Sequence, residues 1–205
     1  MQTVFPGGSC MEDLRKIKSK ELLKDAFWSV LASKKYAQIF IKDIVEEAGI
    51  NRKTFTAHYD SVDALMRDCV EELIQKLLSH FDPGHKREVA DFFYSTREYT
   101  RFALDNREHL QLVFSNQLDS IALHIWKQFL VTSQAFPQED DLRYDLYLNY
   151  NTYCCWGNLL WVLDHADLPL DTLVNEALDV YRVFTQNQAA LYEQPEYGSL
   201  ISKSK

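Results

Sequence analysis

A chain of 205 residues with a net charge of −8 contains 46% hydrophobic residues but only 6 glycines and 5 prolines. This length suits one or two domains with a sizeable core, and the composition excludes a disordered chain and is not typical of a β-rich one. The first ten residues, MQTVFPGGSC, lack the basic start and apolar run of a signal peptide, and no segment reaches the roughly 18 apolar residues of a membrane span. We therefore expect a soluble, cytoplasmic protein that does not enter the membrane.

The charge is unevenly distributed along the chain. Residues 1–58 carry a net charge of +3, whereas residues 59–205 carry −11. Such asymmetry is typical of a weakly basic nucleic-acid-binding segment attached to an acidic body. A solvated helical surface would explain any single lysine equally well, so charge alone does not decide between these hypotheses.

Apolar residues recur at helical spacing through almost the whole chain. This pattern predicts helices at 12–34, 41–47, 51–58, 62–79, 87–105, 107–117, 119–135, 140–165 and 170–192. The stretch FDPGHK at residues 81–86 is the clearest break and predicts a domain junction. Since no strand pattern stands out, the predicted fold class is all-α.

Two of the short predicted helices meet at Gly49, within the stretch EEAGINRKTFTAHYD. Glycine reaches positive φ without a Cβ penalty, and Asn51 is a favourable N-cap for the second helix. Ile44, Ala48, Ile50 and Phe55 are expected in the small core that fixes the angle between the helices. Two such helices, with basic and hydroxyl side chains on the outside of the second, are typical of a helix-turn-helix whose second helix enters the major groove.

The run from Glu21 to Leu65 resembles the DNA-binding domain of the TetR/AcrR family of transcriptional regulators. The residues that carry the resemblance are Leu22, Leu23, Ala26, Phe27, Leu31, Ile41, Asp43, Ile44, Ala48, Gly49, Ile50, Thr54, Phe55, His58, Tyr59, Asp63 and Leu65. The resemblance implies an N-terminal three-helix helix-turn-helix domain, joined by a long helix to an all-helical ligand-binding and dimerisation domain. The predicted organisation is a flexible segment at 1–11, a DNA-binding domain at 12–79 with its helix-turn-helix at 40–59, an effector-binding and dimerisation domain at 80–193, and a flexible tail at 194–205.

Geometry and the resemblance together assign roles on the second helix of the motif. Arg52 and Lys53 are candidates for hydrogen bonds to guanine O6 and N7, and Thr56 for a thymine methyl or a phosphate. The expected phosphate contacts are Lys42, Asn51, Thr54, His58 and Tyr59.

Three positions depart from the family pattern. The family usually has threonine, tyrosine and lysine where this chain has Phe40, Thr56 and Val62. The resemblance implies that the threonine caps the first helix of the motif, and that the tyrosine and the lysine each reach a DNA phosphate. The departures predict either weaker DNA binding or compensation by Lys42, His58 and the N-terminal lysines.

The C-terminal half is rich in aromatic residues, most of which are expected in the core. Some could instead line an apolar pocket for a small apolar or aromatic effector. The pocket candidates are Phe102, Trp126, Tyr147, Tyr150 and Trp156.

The helix predicted at 140–165 has two apolar sides, which indicates that it is buried twice. By the resemblance, its second side packs with helix 170–192 against the same helices of a second subunit, in a four-helix interface. The interface candidates are Leu159, Val162, Leu178 and Tyr181.

No enzyme motif is present, since the sequence lacks GxSxG, HExxH, a Walker-type loop and GxGxxG. Six histidines show no paired ligand spacing on one helix and four cysteines form no CxxC, so no metal site or cofactor is predicted. The favoured hypothesis is a homodimeric repressor that binds a palindromic operator in double-stranded DNA and is released by a small-molecule effector. The alternative is a helical regulator of the same fold controlled by a protein partner, with weak or lost DNA binding. The sign of regulation, repression or activation, stays open.

Overall fold

The computed structural model describes residues 8–80, 89–132 and 141–192, and each regular element in these ranges is a helix. The helices in chain order are α1 (Gly8–Ser33), α2 (Ile41–Glu47), α3 (Arg52–Thr56), α4 (Val62–Ser79), α5 (Val89–Asp105), α6 (Arg107–Ser115), α7 (Asp119–Thr132), α8 (Asp141–Asp164) and α9 (Leu170–Tyr192). A short 3-10 helix at Tyr36–Gln38 precedes α2 and is not among the predicted elements. The all-α prediction is confirmed. None of the described helices combines the length and the apolar character needed to cross a bilayer.

Helix boundaries differ from the predicted ones at a few ends. α1 begins at Gly8 rather than at residue 12, and α3 ends at Thr56 rather than at residue 58. α6 ends at Ser115 because Gln117 adopts a left-handed φ of 59°, and the Leu118 N–H returns to the Val113 carbonyl at 2.9 Å. The ends predicted to be flexible, apart from residues 8–11 in α1, lie outside the described residues.

The first compact unit contains the described residues 8–76 together with Glu108–Gln128. In α1 the apolar residues at helical spacing are buried, namely Leu23, Ala26, Phe27, Val30 and Leu31. Ile44 and Phe55 are fully buried as expected, whereas Ala48 and Ile50 are half-buried. In α4 the buried residues recur at spacings of three and four, as the amphipathic pattern predicts. These buried side chains are Leu65, Met66, Cys69, Val70, Leu73 and Ile74.

The second compact unit contains the described residues of Leu77–Arg107 and those from Phe129 onward. Here α5 packs against both α8 and α9. The buried Tyr99 of α5 donates its hydroxyl proton to the Cys155 carbonyl of α8 at 3.1 Å, and Arg97 forms an ion pair with Asp171 of α9. These units differ from the division predicted after residue 79 in two places, since residues 108–128 group with the N-terminal helices and residues 77–79 with the C-terminal ones. The domain roles stay a prediction.

Candidate nucleic-acid interface

The turn between α2 and α3 is built around Gly49, which has a φ of +64°. The Gly49 N–H donates to the Glu46 carbonyl at 3.2 Å and the Ile50 N–H to the Val45 carbonyl at 3.1 Å, which closes the end of α2. Residues with a Cβ rarely adopt this φ, so glycine is required by the backbone and not by crowding, because a Cβ here would meet no atom within 4 Å. The turn predicted from the sequence is present.

α3 is fixed at its start by Asn51, whose Oδ1 accepts the Thr54 N–H at 2.8 Å and the Thr54 hydroxyl at 3.2 Å. Phe55 is the buried residue of this helix and anchors it to the core. With one side held in this way, the opposite side of a short helix must face solvent.

The side chains predicted to contact bases are exposed on α3. Arg52, Lys53 and Thr56 are all exposed, and Thr56 donates its hydroxyl proton to the Lys53 carbonyl at 3.1 Å. Lys42, on α2, is exposed as well. In the part of the chain that the structure describes, no carboxylate forms an ion pair with Lys42, Arg52 or Lys53. Their positive charges therefore remain available to an anionic partner.

His58 lies just after α3 and is half-buried. Its Nε2 is 2.7 Å from the hydroxyl oxygen of Ser19 on α1, a residue to which sequence reasoning gave no role. The Ser19 hydroxyl also donates to the Lys16 carbonyl at 3.0 Å. The ring is thus held from α1, and only its second nitrogen, Nδ1, is left for another partner.

Tyr59 is the one predicted phosphate contact that the structure moves into the core. It is 7% exposed, and its hydroxyl donates to the Asp68 carboxylate at 2.6 Å, so its proton is not available to a phosphate. Asp68 also pairs with Lys20 at 2.9 Å and Lys24 at 3.0 Å. Tyr59 therefore joins the end of the helix-turn-helix to α4 and belongs to the packing, not to the DNA-facing surface.

The ionisation of this cluster follows from its contacts. Burial alone would raise the pKa of Asp68, but the hydrogen bonds from Tyr59, Lys20 and Lys24 outweigh it and hold the pKa at about 2. Burial, followed by the hydrogen bond to Asp68, raises the pKa of Tyr59. Near neutral pH Asp68 is therefore ionised and accepts hydrogen bonds from Lys20, Lys24 and the neutral hydroxyl of Tyr59.

The N-cap residue of α2 is Phe40, which has no hydroxyl group to accept a hydrogen bond from the first turn. The phenyl ring is 60% exposed and has no donor, while the Phe40 N–H donates to the Asp43 carboxylate at 2.9 Å. Asp43 also accepts a hydrogen bond from Lys34 at 2.7 Å. The hydrogen bond from Lys34, followed by that from Phe40, lowers the pKa of Asp43. The charge of Lys34, which contributes to the basic balance of the N-terminal segment, is therefore matched locally.

The short 3-10 helix before α2 is held by the end of α6, a contact that the sequence does not reveal. The Tyr36 N–H donates to the Asn116 side-chain oxygen at 3.0 Å, and the Lys35 ammonium to the Ser115 carbonyl at 3.4 Å. Asn116 in turn donates to the Leu112 carbonyl at 3.0 Å. The residues concerned are 80 apart in the chain, so no local pattern could have found them.

In the second unit, α8 has one buried and one exposed side, whereas its pattern predicts two apolar sides that are both covered, the second by another subunit. Leu159 and Val162 are fully buried within the subunit, so they cannot contact a second copy, and their assignment to an interface is wrong. Of the other two interface candidates, Leu178 is half-buried and Tyr181 is 51% exposed. The exposed apolar side chains of these two helices, called here the α8–α9 apolar residues, are Leu146, Tyr150, Tyr153, Leu160, Val180, Tyr181 and Val183.

The effector-pocket candidates are not gathered into one described cavity. Trp126 and Trp156 are buried, Phe102 is half-buried beside His80, and Tyr150 is exposed, while the side chain of Tyr147 lies outside the described residues. Two clefts in the first unit, of about 430 Å³ between α4 and α7 and about 550 Å³ between α1 and α6, are lined by none of these five. The pocket stays a prediction.

About a third of the chain is similar in sequence to known transcriptional regulators. No family model matches the chain. The uncharacterized HTH-type transcriptional regulator YxbF of Bacillus subtilis is 35% identical over 69 residues, which is 33% of this chain and 18% of the relative. The HTH-type transcriptional regulator EthR of Mycolicibacterium smegmatis is 34% identical over 62 residues, which is 30% of this chain and 29% of the relative. The matches thus span less than a third of each of these relatives' length.

At the level of structure the likeness extends over most of the chain. The TetR transcriptional regulator from Streptococcus agalactiae has a TM-score of 0.60 at 20% identity, covering 84% of this chain and 98% of its own. At this identity the likeness establishes the fold. It confirms the expected resemblance to the TetR family.

Proposed function

We propose, on the premise that the chain has the fold of TetR-family regulators, that it is a transcriptional regulator that binds specific DNA sequences through α3. The observation that carries the proposal is the arrangement of this helix. Gly49 turns the chain, Asn51 caps α3 and Phe55 anchors it, while Arg52 and Lys53 face solvent. In helix-turn-helix proteins, the second helix of the motif lies in the major groove of DNA, and its exposed side chains contact the bases.

The proposed contacts divide into those that read bases and those that position the protein. Arg52 and Lys53, at the start of α3, are assigned to guanine O6 and N7. Lys42, Asn51, Thr54, Thr56 and His58 are assigned to phosphates, which fix register without reading sequence. Compensation for the missing cap at Phe40 then comes from Lys42 and His58.

A homodimer is part of the proposal, because one short helix reads too few base pairs to be selective. The α8–α9 apolar residues support it, since exposed aliphatic and aromatic side chains on neighbouring turns are typical of a covered surface. Two copies joined there would present two α3 helices to half-sites about 34 Å apart, or a multiple of that distance.

Repression with release by a small apolar or aromatic effector is the proposed mode of control. α4 contributes residues to both compact units. Its Asp68 is bonded to Tyr59 at the end of the helix-turn-helix and to Lys20 and Lys24 of α1. If the effector shifts α4, the two α3 helices change their separation. Linkage then requires that effector and operator weaken each other's binding by the same factor.

Selection of bound duplexes from a random DNA pool tests the proposal. We expect a palindromic consensus with a guanine in each half-site, and a double variant, Arg52→Ala with Lys53→Ala, that enriches no sequence. Lack of enrichment by the natural chain at low salt would overturn the proposal. No relative supports the alternative of a protein-controlled regulator with lost DNA binding, and that result would be its first support.

A further inference from the structure

His58 and Ser19 are 39 residues apart in the chain and meet at the edge of the helix-turn-helix. His58 Nε2 lies 2.7 Å from the Ser19 hydroxyl oxygen, and the same oxygen lies 3.0 Å from the Lys16 carbonyl oxygen. Both Ser19 and His58 are half-buried, so the ring is packed against α1 but keeps contact with solvent.

The two hydrogen bonds of Ser19 fix where the protons lie. A hydroxyl has a single proton, and a carbonyl oxygen can only accept. If the Ser19 proton is donated to the Lys16 carbonyl, its oxygen must accept a proton from His58 Nε2. Both contacts are satisfied only in this arrangement, so Nε2 carries a proton and neutral His58 has a bare acceptor at Nδ1.

A bare acceptor cannot hydrogen-bond to a phosphate oxygen, which is also an acceptor. We propose that Ser19 is a positioning residue that commits His58 Nε2 to α1, so that His58 binds a DNA phosphate only as imidazolium, through Nδ1–H. DNA binding then takes up one proton per subunit. This inference rests on the proposed function, because it assumes the phosphate contact of His58.

The charged residues next to Ser19 in α1 are its two sequence neighbours, Lys18 and Lys20. Lys20 is paired with Asp68 of α4, which also accepts hydrogen bonds from Tyr59 and Lys24. Asp60 and Lys53 are the charged residues nearest to His58 along the chain itself.

The test is the affinity for one operator duplex between about pH 6 and about pH 8, the range in which histidine changes its charge, at constant ionic strength. We expect the natural chain to bind roughly tenfold more tightly at the acidic end, the gain of about one charge-assisted hydrogen bond. His58→Gln should lose this gain. Ser19→Ala frees the ring to offer an N–H while neutral, and should lose most of the pH dependence.

Ser19→Thr is the matched control, because it keeps the hydroxyl and should keep the pH profile of the natural chain. Equal profiles for the natural chain and His58→Gln would overturn the phosphate contact of His58. An unchanged profile in Ser19→Ala would overturn the positioning role. If no duplex is bound at any pH, the proposed function fails and the inference fails with it, whereas binding without a His58-dependent profile sinks the inference alone.

Discussion

α3 and α8 present two opposite kinds of surface to their surroundings. α3 has only 5 residues, one of them buried, and its outward side chains are charged or polar. α8 has 24 residues, and its outward side chains include Tyr153 at 61% exposure and Leu160 at 39%. The short helix depends on its cap, its glycine turn and one anchor for its position. The long helix exposes aliphatic and aromatic side chains, and covering them with a second apolar surface would be favourable.

Substitutions on these two surfaces should have different effects. A polar surface such as that of α3 can be altered without loss of folding, and under the proposed function we expect the effect in DNA affinity. For the apolar side chains of α8 and α9 we expect the effect in self-association.

Tyr181→Glu should disrupt self-association most strongly. A carboxylate placed among the α8–α9 apolar residues would be buried without a partner, which weakens the dimer by roughly 30-fold or more. Sedimentation at micromolar concentration should show about twice the 24.0 kDa chain mass for the natural protein and a shift towards 24.0 kDa for the variant. Asn175→Glu, also exposed on α9, is the matched control and should remain dimeric. A natural chain that sediments as a strict monomer contradicts the proposed interface.

Tyr59→Phe should lower the free energy of unfolding by about 1.5 kcal/mol, because the half-buried carboxylate of Asp68 loses a hydrogen bond. The pKa of Asp68 is held at about 2, below its ordinary value, so the stabilisation is complete above about pH 4 and is lost as the pH falls towards 2. Urea denaturation of both proteins across this range should show the difference shrinking in acid. Combining Tyr59→Phe with Asp68→Asn provides the control, and purely additive effects would show that the two groups do not interact.

Gly49→Ala should lower the free energy of unfolding by about 1 kcal/mol, since alanine at a φ of +64° is strained although space is available. Gln117→Gly is the matched opposite, because Gln117 holds a φ of 59° and glycine relieves that strain. We expect it to stabilise by roughly 0.5 kcal/mol. If both variants shift the thermal unfolding midpoint in the same direction, backbone strain at positive φ does not explain their effects.

Lys42→Ala should weaken binding to all DNA sequences alike, by about fivefold, and reduce the salt dependence by about one unit per subunit. The reason is that Lys42 is exposed on α2 and is assigned to a phosphate. Lys76→Ala, which removes a lysine already paired with Glu72 at 2.6 Å, should leave the salt dependence unchanged. A sequence-dependent loss in Lys42→Ala would mean that α2, not α3, approaches the bases.

What could be predicted from the sequence depended on how local the signal was. Gly49, Asn51 and Phe55 act within one turn of chain, and each lies where its residue type indicates. The helices followed from apolar spacing for the same reason. The role of Tyr59 could not be predicted, because a tyrosine side chain suits both packing and phosphate binding. Its hydroxyl donates to Asp68, which lies on another helix and gives no local sequence signal.

Contacts between distant segments could not be predicted. Neither the hydrogen bond from Tyr36 to Asn116 nor that between Ser19 and His58 leaves a pattern in one sequence. The two sides of α8 were found from spacing, but periodicity does not say which side faces the subunit's own core. This is why Leu159 and Val162 were assigned to the wrong side.

The base contact proposed for Arg52 of α3 is tested most directly by a side-by-side selection from a random DNA pool with the natural chain and Arg52→Ala. A bidentate arginine–guanine contact contributes roughly 1–3 kcal/mol of discrimination. We expect Arg52→Ala to yield the same palindrome with the guanine preference lost at one position in each half-site. Consensus sequences that are identical at every position would contradict the base contact of Arg52.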